Sequence, residues 1–164
     1  MTDTLAAFLD QHALIHQRFE HPPVFTCEEA SRLCPAMPGA ETKNLFLCDN
    51  KGKRHFLLSM PAENSVDLKA LAPILEVKSL RMASPERLLR YLGLTPGAVT
   101  LLAAFNDAEH AVEVVIDQAL WTADAVLSHP LVNTATLSLP HDSLARFFTL
   151  TGHVPRIIDV PQPG

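Results

Sequence analysis

The sequence predicts a mixed α+β (mixed α/β) fold with a mixed sheet, and three observations lead to this class. Residues 41–60 have the pattern of a β-hairpin, and several other segments carry the start and stop signals of amphipathic helices. Predicted strands and helices alternate irregularly along the 164 residues, with hairpin-like as well as crossover connections. No repeat or low-complexity linker divides the chain, so residues 1–164 are predicted to form a single domain.

The predicted hairpin is the segment around which the rest of the chain is organised. Two apolar runs, residues 45–48 and 55–60, flank the turn formers at 49–53. Both runs are more apolar than alternating, which predicts that both faces of the sheet are covered. Lys43 stands just before the first run, where a packed stem would place the ammonium for catalysis or phosphate binding. A solvated lysine at the sheet edge is the structural alternative.

The other elements are predicted from periodicity and capping signals. Thr26 has the sequence context of a capping box and marks the start of one helix. Ser84, followed by Pro85, marks the start of another helix, which is predicted to end at Gly93. Helices are predicted over residues 2–12, 26–34, 67–75, 84–93, 119–123 and 142–150. Strands are predicted over residues 14–19, 77–82, 112–116, 131–139 and 156–160, in addition to the hairpin.

Composition predicts a soluble globular protein. Hydrophobic residues make up 48% and charged residues 19% of the chain, and no apolar run approaches the length of a membrane span. The first residues lack the pattern of a secretory signal, so a cytoplasmic location is the default expectation. Cys27, Cys34 and Cys48 are an odd number without a C-x-x-C pair, which favours free thiols over a disulfide framework or a four-cysteine zinc site.

The charge is unevenly distributed along the chain. The net charge is −5, yet residues 43–90 contain nine Lys and Arg against five Asp and Glu, a balance of +4. The rest of the chain contains four against thirteen, a balance of −9. This asymmetry predicts one basic face on an acidic protein, suited to a local phosphate contact. A DNA partner is not expected, because no extended basic helix is present.

Several enzyme classes are disfavoured because their motifs are absent. The chain has no G-x-S-x-G, no G-x-x-x-x-G-K-[ST] and no G-x-G-x-x-G, which disfavours serine esterases, P-loop NTPases and Rossmann oxidoreductases. His12 and His16 have the i, i+4 spacing of a metal-binding pair, with His21 nearby, but Ala13 replaces the Glu of the metalloprotease motif. Surface histidines are the preferred interpretation, and no metal or other cofactor is predicted.

Two further stretches are candidate parts of a site. The turn at residues 95–99 leads directly into a buried run and could present backbone N–H groups to an anion or a carbonyl. A tight connection without a function is its alternative. His129 precedes a predicted strand and could orient a polar substrate group or donate to a carbonyl. A histidine at the edge of the core, with its hydrogen bonds satisfied, is the alternative there.

Five motifs occur in a fixed order along the chain. They are T-K-N-L-F-L-C-D (42–49), V-D-L-K-A-L (66–71), L-G-L-T-P-G-A-V-T (92–100), F-N-D (105–107) and H-P-L-V-N-T-A-T (129–136). Together they resemble the YbaK/prolyl-tRNA-synthetase-associated editing family, in its free-standing prolyl-tRNA deacylase (ProX/PrdX-type) branch, over nearly the whole chain. The resemblance implies a mixed, mainly antiparallel curved sheet flanked by helices. It also implies hydrolysis of the ester that joins a wrong amino acid, most often alanine in this branch, to tRNA(Pro).

The resemblance also implies which residues form the site. The lysine of the family's K-N pair is the central active-site residue and corresponds to Lys43, followed by Asn44. The glycine-rich loop that holds the terminal adenosine and the carbonyl corresponds to Gly97, Ala98, Val99 and Thr100. Leu101 stands where the family often has Pro, which puts the rigidity of this loop in question but not its backbone donors. His129 corresponds to the histidine that lines the amino-acid pocket.

These roles combine into a mechanism. The 3′ end of the tRNA would enter beside the hairpin, with Lys43 on the terminal phosphate or ribose and N–H groups of residues 97–100 on the oxyanion. A water, assisted by the ribose 2′-OH rather than by a protein base, would attack the ester, and no metal is required. The pocket would lie between Lys43, His129 and the helix at 26–34, and would admit alanine while sterically excluding proline.

The implied partners are the acceptor end of a mischarged tRNA and either prolyl-tRNA synthetase or an elongation factor. Neither a membrane nor DNA is implied. Two alternatives stay open: the same fold acting on another mischarged tRNA such as Cys-tRNA(Pro), and a non-catalytic RNA-binding module. The presence of Lys43 disfavours the second, and an aromatic content of 6% gives little support for a base-stacking platform.

Overall fold

The structure, a computed structural model, describes residues 4–21, 39–96, 98–131 and 134–163. The helix predicted at residues 26–34, with Cys27 and Cys34, lies outside the described residues. The strands are β1 (Gln17–Glu20), β2 (Thr42–Asp49), β3 (His55–Pro61), β4 (Leu80–Met82), β5 (Val112–Asp117), β6 (Ala125–Ser128), β7 (Ala135–Pro140) and β8 (Arg156–Ile158). The helices are α1 (Thr4–Gln11), α2 (Leu68–Ile74), α3 (Pro85–Leu92), a 3-10 helix (Leu101–Asn106), α4 (Gln118–Trp121) and α5 (His141–Thr151).

The larger sheet contains the predicted hairpin and has the strand order β4-β2-β3-β5-β8. β2 runs antiparallel to β3, from Thr42 opposite Pro61 to Cys48 opposite His55, and its end also pairs with β4. β5 lies parallel to β3, and β8 lies parallel to β5, so the sheet is mixed, as predicted. Every residue of β3 is buried, which confirms the expectation that both faces are covered.

A smaller antiparallel sheet, with the order β1-β7-β6, joins the larger one just before the hairpin. At this joint Ala40 pairs with Val126 of β6. The Ala40 N–H donates to the Ala125 carbonyl at 2.9 Å, and the Leu127 N–H donates to the Ala40 carbonyl at 2.9 Å. The joint therefore places the end of β6 beside the start of β2, and this arrangement assembles the candidate site.

The hairpin alternates its side chains between two hydrophobic clusters, so α2 and α3 cover opposite faces of the larger sheet. One cluster contains Leu47, Phe56, Leu58 and Met60 with Leu71 and Leu75 from the α2 region. The other contains Phe46 and Leu57 with Leu88 and Leu92 of α3. A third cluster packs α1 and α5 against β5, β6 and β7. Each fully buried Leu or Phe contributes about 1.5–3 kcal/mol of transfer free energy to folding.

The helix ends follow the capping chemistry that the sequence predicts. The Ser84 hydroxyl accepts the Arg87 N–H at 3.2 Å, and α3 ends at Gly93 with a φ of 68°. Asp67 caps α2, while Gly152 ends α5 with a φ of 80°. No helix in the four described ranges is long and apolar enough to cross a membrane.

Several predicted boundaries are wrong for identifiable reasons. The strand predicted at residues 77–82 forms only at Leu80–Met82, because Glu76 adopts a φ of 62° and opens a turn. The strand predicted at 131–139 begins at Ala135, because Leu131 has a φ of 70°, outside the extended region. The first strand spans Gln17–Glu20 instead of residues 14–19. β6 is too short to stand out in the sequence, and the apolar run after residue 100 forms the 3-10 helix.

Candidate active site

Lys43 lies inside β2, opposite Met60 of β3, and not in front of the strand as the sequence suggests. The pairing with β3 begins three residues before the apolar run, at Thr42, because strand pairing needs only backbone groups. The Lys43 ammonium donates to the backbone carbonyl of Asn64 at 2.6 Å, in the turn after β3. Within the described residues no carboxylate lies at ion-pair distance from it. Within these residues the ammonium is therefore held by a carbonyl oxygen and not by a carboxylate.

The other side chains of this region are neutral. We define the hairpin base as Thr42, Lys43 and Asn44 of β2 with the facing Ser59, Met60 and Pro61 of β3. The Asn44 carbonyl oxygen accepts from the Ser59 hydroxyl, and its Nδ2 donates to Thr42 Oγ1 at 3.4 Å. Thr42 Oγ1 in turn donates to the Leu127 carbonyl of β6 at 2.6 Å. Asn44 therefore holds the hairpin base together and keeps one Nδ2 hydrogen for a further contact.

A buried hydroxyl connects the end of β6 to the loop before the 3-10 helix. Thr100 is fully buried, and its hydroxyl donates to the His129 carbonyl at 2.6 Å. Because a hydroxyl has one hydrogen, the Ser128 hydroxyl at 2.7 Å must be the donor in its contact with Thr100. The Leu102 N–H also donates to Thr100 Oγ1, at 3.3 Å. Thr100 thus fixes the main chain of His129 and caps the 3-10 helix.

The predicted glycine-rich loop is described except for Gly97, which lies outside the described residues. The Ala98 N–H donates to the Thr95 carbonyl at 3.1 Å, so it closes the turn and is not directed at a ligand. The N–H groups of Val99 and Thr100 make no hydrogen bond with the described part of the chain. Among the described loop residues, these two are the backbone donors that remain for an anion or a carbonyl.

His129 follows β6 and is half-buried. Its Nδ1 lies 3.1 Å from the Ala135 carbonyl, which can only accept, so Nδ1 carries the hydrogen and neutral His129 presents the Nε2 lone pair. Burial lowers the pKa of His129; the hydrogen bond to Ala135 opposes this effect, and the charge of His21 adds to it. The net direction is downward, so the imidazole is neutral near pH 7.

The structure links the hairpin base to the end of β6 through the Thr42 hydroxyl, and it links Thr100 to Ser128 and His129. Lys43 alternates with Thr42 and Asn44 along β2, so its side chain lies on the opposite face of the sheet from theirs. Sequence reasoning did not find the roles of Ser59, Asn64, Thr42 and Ser128. The position of Ser128 directly before His129 is a sequence signal from which its place near the site could be predicted. Asn64 has no such signal, because it acts through its backbone carbonyl, which every residue carries. The third predicted wall of the pocket, the helix at 26–34, lies outside the described residues.

The opposite end of the hairpin, which we define as the hairpin tip (residues 49–55), contains two charged side chains with fixed partners, Asp49 and Arg54. Asp49 Oδ1 accepts the N–H groups of Lys53 at 2.8 Å and of Arg54 at 3.2 Å. The Arg54 guanidinium binds Glu113 through two N–H groups at 2.8 and 2.9 Å. Gly52 adopts a φ of 70° at the turn, where a side chain would also collide with the Arg87 guanidinium.

A histidine is buried at the tip as well. His55 packs against the rings of Phe46 and Tyr91, with centroids 5.6 and 4.1 Å away, and its Nε2 accepts from Arg87 at 3.0 Å. Burial lowers the pKa of His55, and the positive charge of Arg87 lowers it further. Two more guanidinium groups, Arg81 and Arg90, act on it in the same direction, so these arginines gather at the tip. This clustering agrees with the basic face predicted for residues 43–90.

The F-N-D motif does not belong to the site. Asp107 is buried and accepts the N–H groups of Ala111 and Val112, each at 2.9 Å. Its Oδ2 also lies 3.1 Å from Nε2 of His153, after α5. The motif therefore fixes the entry into β5. Within the described ranges, no three His, Cys, Asp or Glu side chains come together as a metal site would require.

Comparison with known proteins assigns the chain to a family. Residues 21–147 match the sequence profile of the aminoacyl-tRNA editing domain. The chain belongs to the aminoacyl-tRNA editing domain family. The family resemblance inferred from the five motifs is thereby confirmed, and membership makes the chain an aminoacyl-tRNA deacylase, a carboxylic ester hydrolase whose substrate class is mischarged tRNA.

Individual relatives agree with this assignment. The chain is 35% identical over 154 residues to the prolyl-tRNA editing protein ProX of Acetoanaerobium sticklandii, covering 94% of each chain. It is 38% identical over 141 residues to the prolyl-tRNA synthetase associated domain-containing protein 1 of Danio rerio, covering 85% of this chain and 76% of that protein. A solved structure assigned as a trans-editing enzyme for prolyl-tRNA synthetase shares the fold, with a TM-score of 0.69 and 20% identity over 99% of this chain and 97% of that one.

Proposed function

We propose that the chain is a trans-editing hydrolase that deacylates mischarged tRNA(Pro), with alanine as the amino acid it removes. The observation that carries the proposal is the Lys43 ammonium, which donates to the Asn64 carbonyl and has no carboxylate at ion-pair distance within the described residues. A cation without a carboxylate partner suits a phosphate, a ribose oxygen or a developing negative charge. The name of the Acetoanaerobium sticklandii relative supports tRNA(Pro) as the tRNA.

The reaction is hydrolysis of the ester between the amino acid and the terminal ribose. Water adds to the ester carbonyl, and the N–H groups of Val99 and Thr100 stabilise the oxyanion; one such donor is worth about 3–4 kcal/mol of transition-state free energy. The C–O bond to the ribose then breaks, and the proton that water gives up reaches the departing 3′-oxygen through the neighbouring 2′-OH. Lys43 fixes the terminal nucleotide and stabilises the negative charge near the ribose. The products are the free amino acid and intact tRNA.

His129 recognises the amino-acid end of the substrate. Its Nδ1 hydrogen is committed to the Ala135 carbonyl, so Nε2 acts as an acceptor, and not as a donor to the ester carbonyl. The α-ammonium of an aminoacyl ester is the donor that such an acceptor fits. Selection against proline is steric, because a synthetase pocket built for proline rejects smaller alanine by only about 1–3 kcal/mol per missing methylene, and a second, smaller pocket supplies the remainder.

The arginines at the hairpin tip support a tRNA substrate. Arg87 contacts His55, and the charges of Arg81 and Arg90 are close enough to act on it, whereas Lys43 lies near the other end of the hairpin. Strands rise about 3.4 Å per residue, so the five steps from Lys43 to the pair of Cys48 with His55 correspond to roughly 17 Å. A strand of RNA whose 3′ end reaches Lys43 would bring backbone phosphates to the tip, where contacts are salt-dependent.

A panel of charged tRNAs tests the proposal. Ala-tRNA(Pro), Pro-tRNA(Pro), Cys-tRNA(Pro) and Ala-tRNA(Ala) are incubated with the enzyme at catalytic concentration, and release of the amino acid is followed. We expect rapid loss of Ala-tRNA(Pro) and little loss of the other three. Loss of Cys-tRNA(Pro) alone would replace alanine as the substrate, and hydrolysis of none of the four would overturn the proposal.

A further inference from the structure

A second histidine, His21, lies beside His129 in the described structure. His21 is 9% exposed, and its ring meets that of His129 edge-on, with centroids 6.3 Å apart and planes inclined by 66°. The His21 N–H donates to the Thr134 carbonyl at 2.9 Å, which continues the pairing of β1 with β7. His21 is therefore fixed by the main chain as well as by its side chain.

Adjacent residues of β7 bind the two imidazoles. The Ala135 carbonyl accepts from Nδ1 of His129 at 3.1 Å, and the Thr136 hydroxyl lies 2.8 Å from Nε2 of His21. Thr136 is 6% exposed, so this contact is shielded from water. One strand therefore sets the relative position of both rings.

The hydrogen bond to Ala135 alone does not define the orientation of His129. A single bond at Nδ1 leaves the ring free to pivot about that contact, because torsions that end in an aromatic ring have broad energy wells. A pivot would move Nε2, the atom that remains for a substrate. The edge of the His21 ring lies where it restricts this pivot, provided that Thr136 keeps His21 in place.

The geometry points to His21 as a positioning residue for the editing reaction. Anchored by Thr136, it keeps the His129 ring in the orientation that presents Nε2 to the α-ammonium of the aminoacyl ester. The inference rests on the proposed function for its chemical consequence. Its structural part, one fixed orientation and tautomer of His129, concerns the free protein and can be measured without a substrate.

The substitution Thr136→Val removes the hydroxyl with little change in shape and is the main test. We expect kcat/KM for Ala-tRNA(Pro) to fall about tenfold, since small displacements of a positioning group cost up to 100-fold. Thr136→Ser, which restores the hydroxyl, should recover activity to within about threefold by the same argument. Ser138→Ala, a buried hydroxyl two residues along the same face of β7, is the matched control and should leave kcat/KM unchanged.

A double-mutant cycle separates positioning from general stability. If Thr136 and His21 act through His129, then Thr136→Val should have less than a twofold effect in a His129→Ala background. An equal tenfold loss in both backgrounds would overturn the inference, because Thr136 would then act independently of His129. The variant His21→Phe, which keeps a ring but loses the bond to Thr136, should behave like Thr136→Val in the same cycle.

Ring-nitrogen NMR of the free protein tests the inference by a measurement that does not depend on activity. We expect a single Nδ1–H tautomer for His129 in the unmodified chain and in Ser138→Ala, and a mixture of tautomers or exchange broadening in Thr136→Val. Unchanged His129 signals in Thr136→Val would overturn the inference. If no tRNA is deacylated but these signals change as expected, the proposed function fails while the positioning role stands.

Discussion

The two ends of the β2–β3 hairpin are built from the same pair of strands and differ in the partners of their charged side chains. At the hairpin tip, Asp49 is held by backbone N–H groups, and Arg54 is paired with Glu113. At the hairpin base, the Lys43 ammonium donates to the Asn64 carbonyl, and no carboxylate lies at ion-pair distance from it within the described residues. Asp49 and Arg54 at the tip are therefore engaged by fixed partners, whereas the cation at the base is held by a carbonyl oxygen.

The two histidines extend this comparison. His55 at the tip is 1% exposed and packs against two rings, and its Nε2 accepts a hydrogen bond from Arg87. His129 beside the base is half-buried, and its Nδ1 is occupied while Nε2 remains for a ligand. Burial lowers the pKa of both. The lowered pKa is therefore common to both histidines, and within the described residues they differ in whether Nε2 has a hydrogen-bond partner.

The largest expected effect on stability is at the neutral network beside the base. Thr100→Val leaves the His129 carbonyl, the Ser128 hydroxyl and the Leu102 N–H without their partner in a fully buried place. Unsatisfied buried groups cost about 1–3 kcal/mol each, so the free energy of unfolding should fall by about 3 kcal/mol after partial relaxation. Chemical denaturation measures this loss.

Thr100→Ser is the matched control for that substitution. It keeps the hydroxyl and removes one methyl group, so it should cost about 1 kcal/mol. Equal losses for Thr100→Val and Thr100→Ser would show that the methyl group, and not the hydrogen-bond network, stabilises this region.

The next effect concerns the tip. Asp49→Ala removes the acceptor of the Lys53 and Arg54 N–H groups and should lower the free energy of unfolding by about 2 kcal/mol, as hydrogen bonds to charged groups contribute about 1.5–3 kcal/mol. Deacylation should be nearly unchanged, because Asp49 lies at the end of the hairpin remote from Lys43. Asp49→Asn keeps an acceptor oxygen and should lose less stability. A large loss of activity in folded Asp49→Ala protein would break the division between tip and base.

A smaller effect, the pH dependence of the free energy of unfolding, follows from the two histidines. Because the folded pKa of each is lowered, the unfolded chain takes up protons first as pH falls below its unfolded value of about 6.5. The free energy of unfolding should therefore decrease as pH falls from about 7 toward the folded pKa values. Denaturation at a series of pH values should give a shallower decrease for His55→Phe, which lacks one of the two groups.

Asp49 acts in a lower pH range. Burial alone would raise the pKa of Asp49, but backbone hydrogen bonds from residues 52–54 and the charge of Arg54 outweigh it, so the pKa is lowered. Its contribution to the free energy of unfolding is present above the unfolded pKa of about 3.9 and is lost as pH falls through the folded value.

The histidine prediction has its own contradicting outcome. A stability profile that is flat between pH 7 and 5 would contradict the assignment of His55 and His129 as neutral groups.

Sequence reasoning predicted the local features of the fold because they depend on local physics. The Ser84 cap, the turn at Gly93, the hairpin and the buried β3 follow from capping, backbone freedom and hydrophobic pattern. It did not predict β6, since a four-residue strand is defined by its partners β7 and Ala40, not by its own composition. The strand predicted from residue 131 begins later, at Ala135, because Leu131 has a positive φ that its residue type does not reveal.

The candidate site could be predicted only in part for a similar reason. Lys43, Asn44 and His129 carry recognisable motifs, and their residue types already indicate chemistry. The Asn64 carbonyl and the Thr100 hydroxyl become important only when the turn after β3 and the end of β6 approach them. Long-range placement of a backbone group or a buried hydroxyl leaves no pattern in the sequence near it.

The central claim is that the uncompensated Lys43 ammonium drives deacylation while contributing little to the fold. The direct measurement is kcat/KM for Ala-tRNA(Pro), together with the free energy of unfolding, for Lys43→Ala beside the exposed control Lys78→Ala. We expect Lys43→Ala to lose about 100- to 1,000-fold in activity, as for the removal of an oxyanion donor. Its stability should change by less than about 1 kcal/mol, and Lys78→Ala should match the unmodified chain in both assays. A folded Lys43→Ala protein that deacylates Ala-tRNA(Pro) within a few-fold of the unmodified rate would contradict the account.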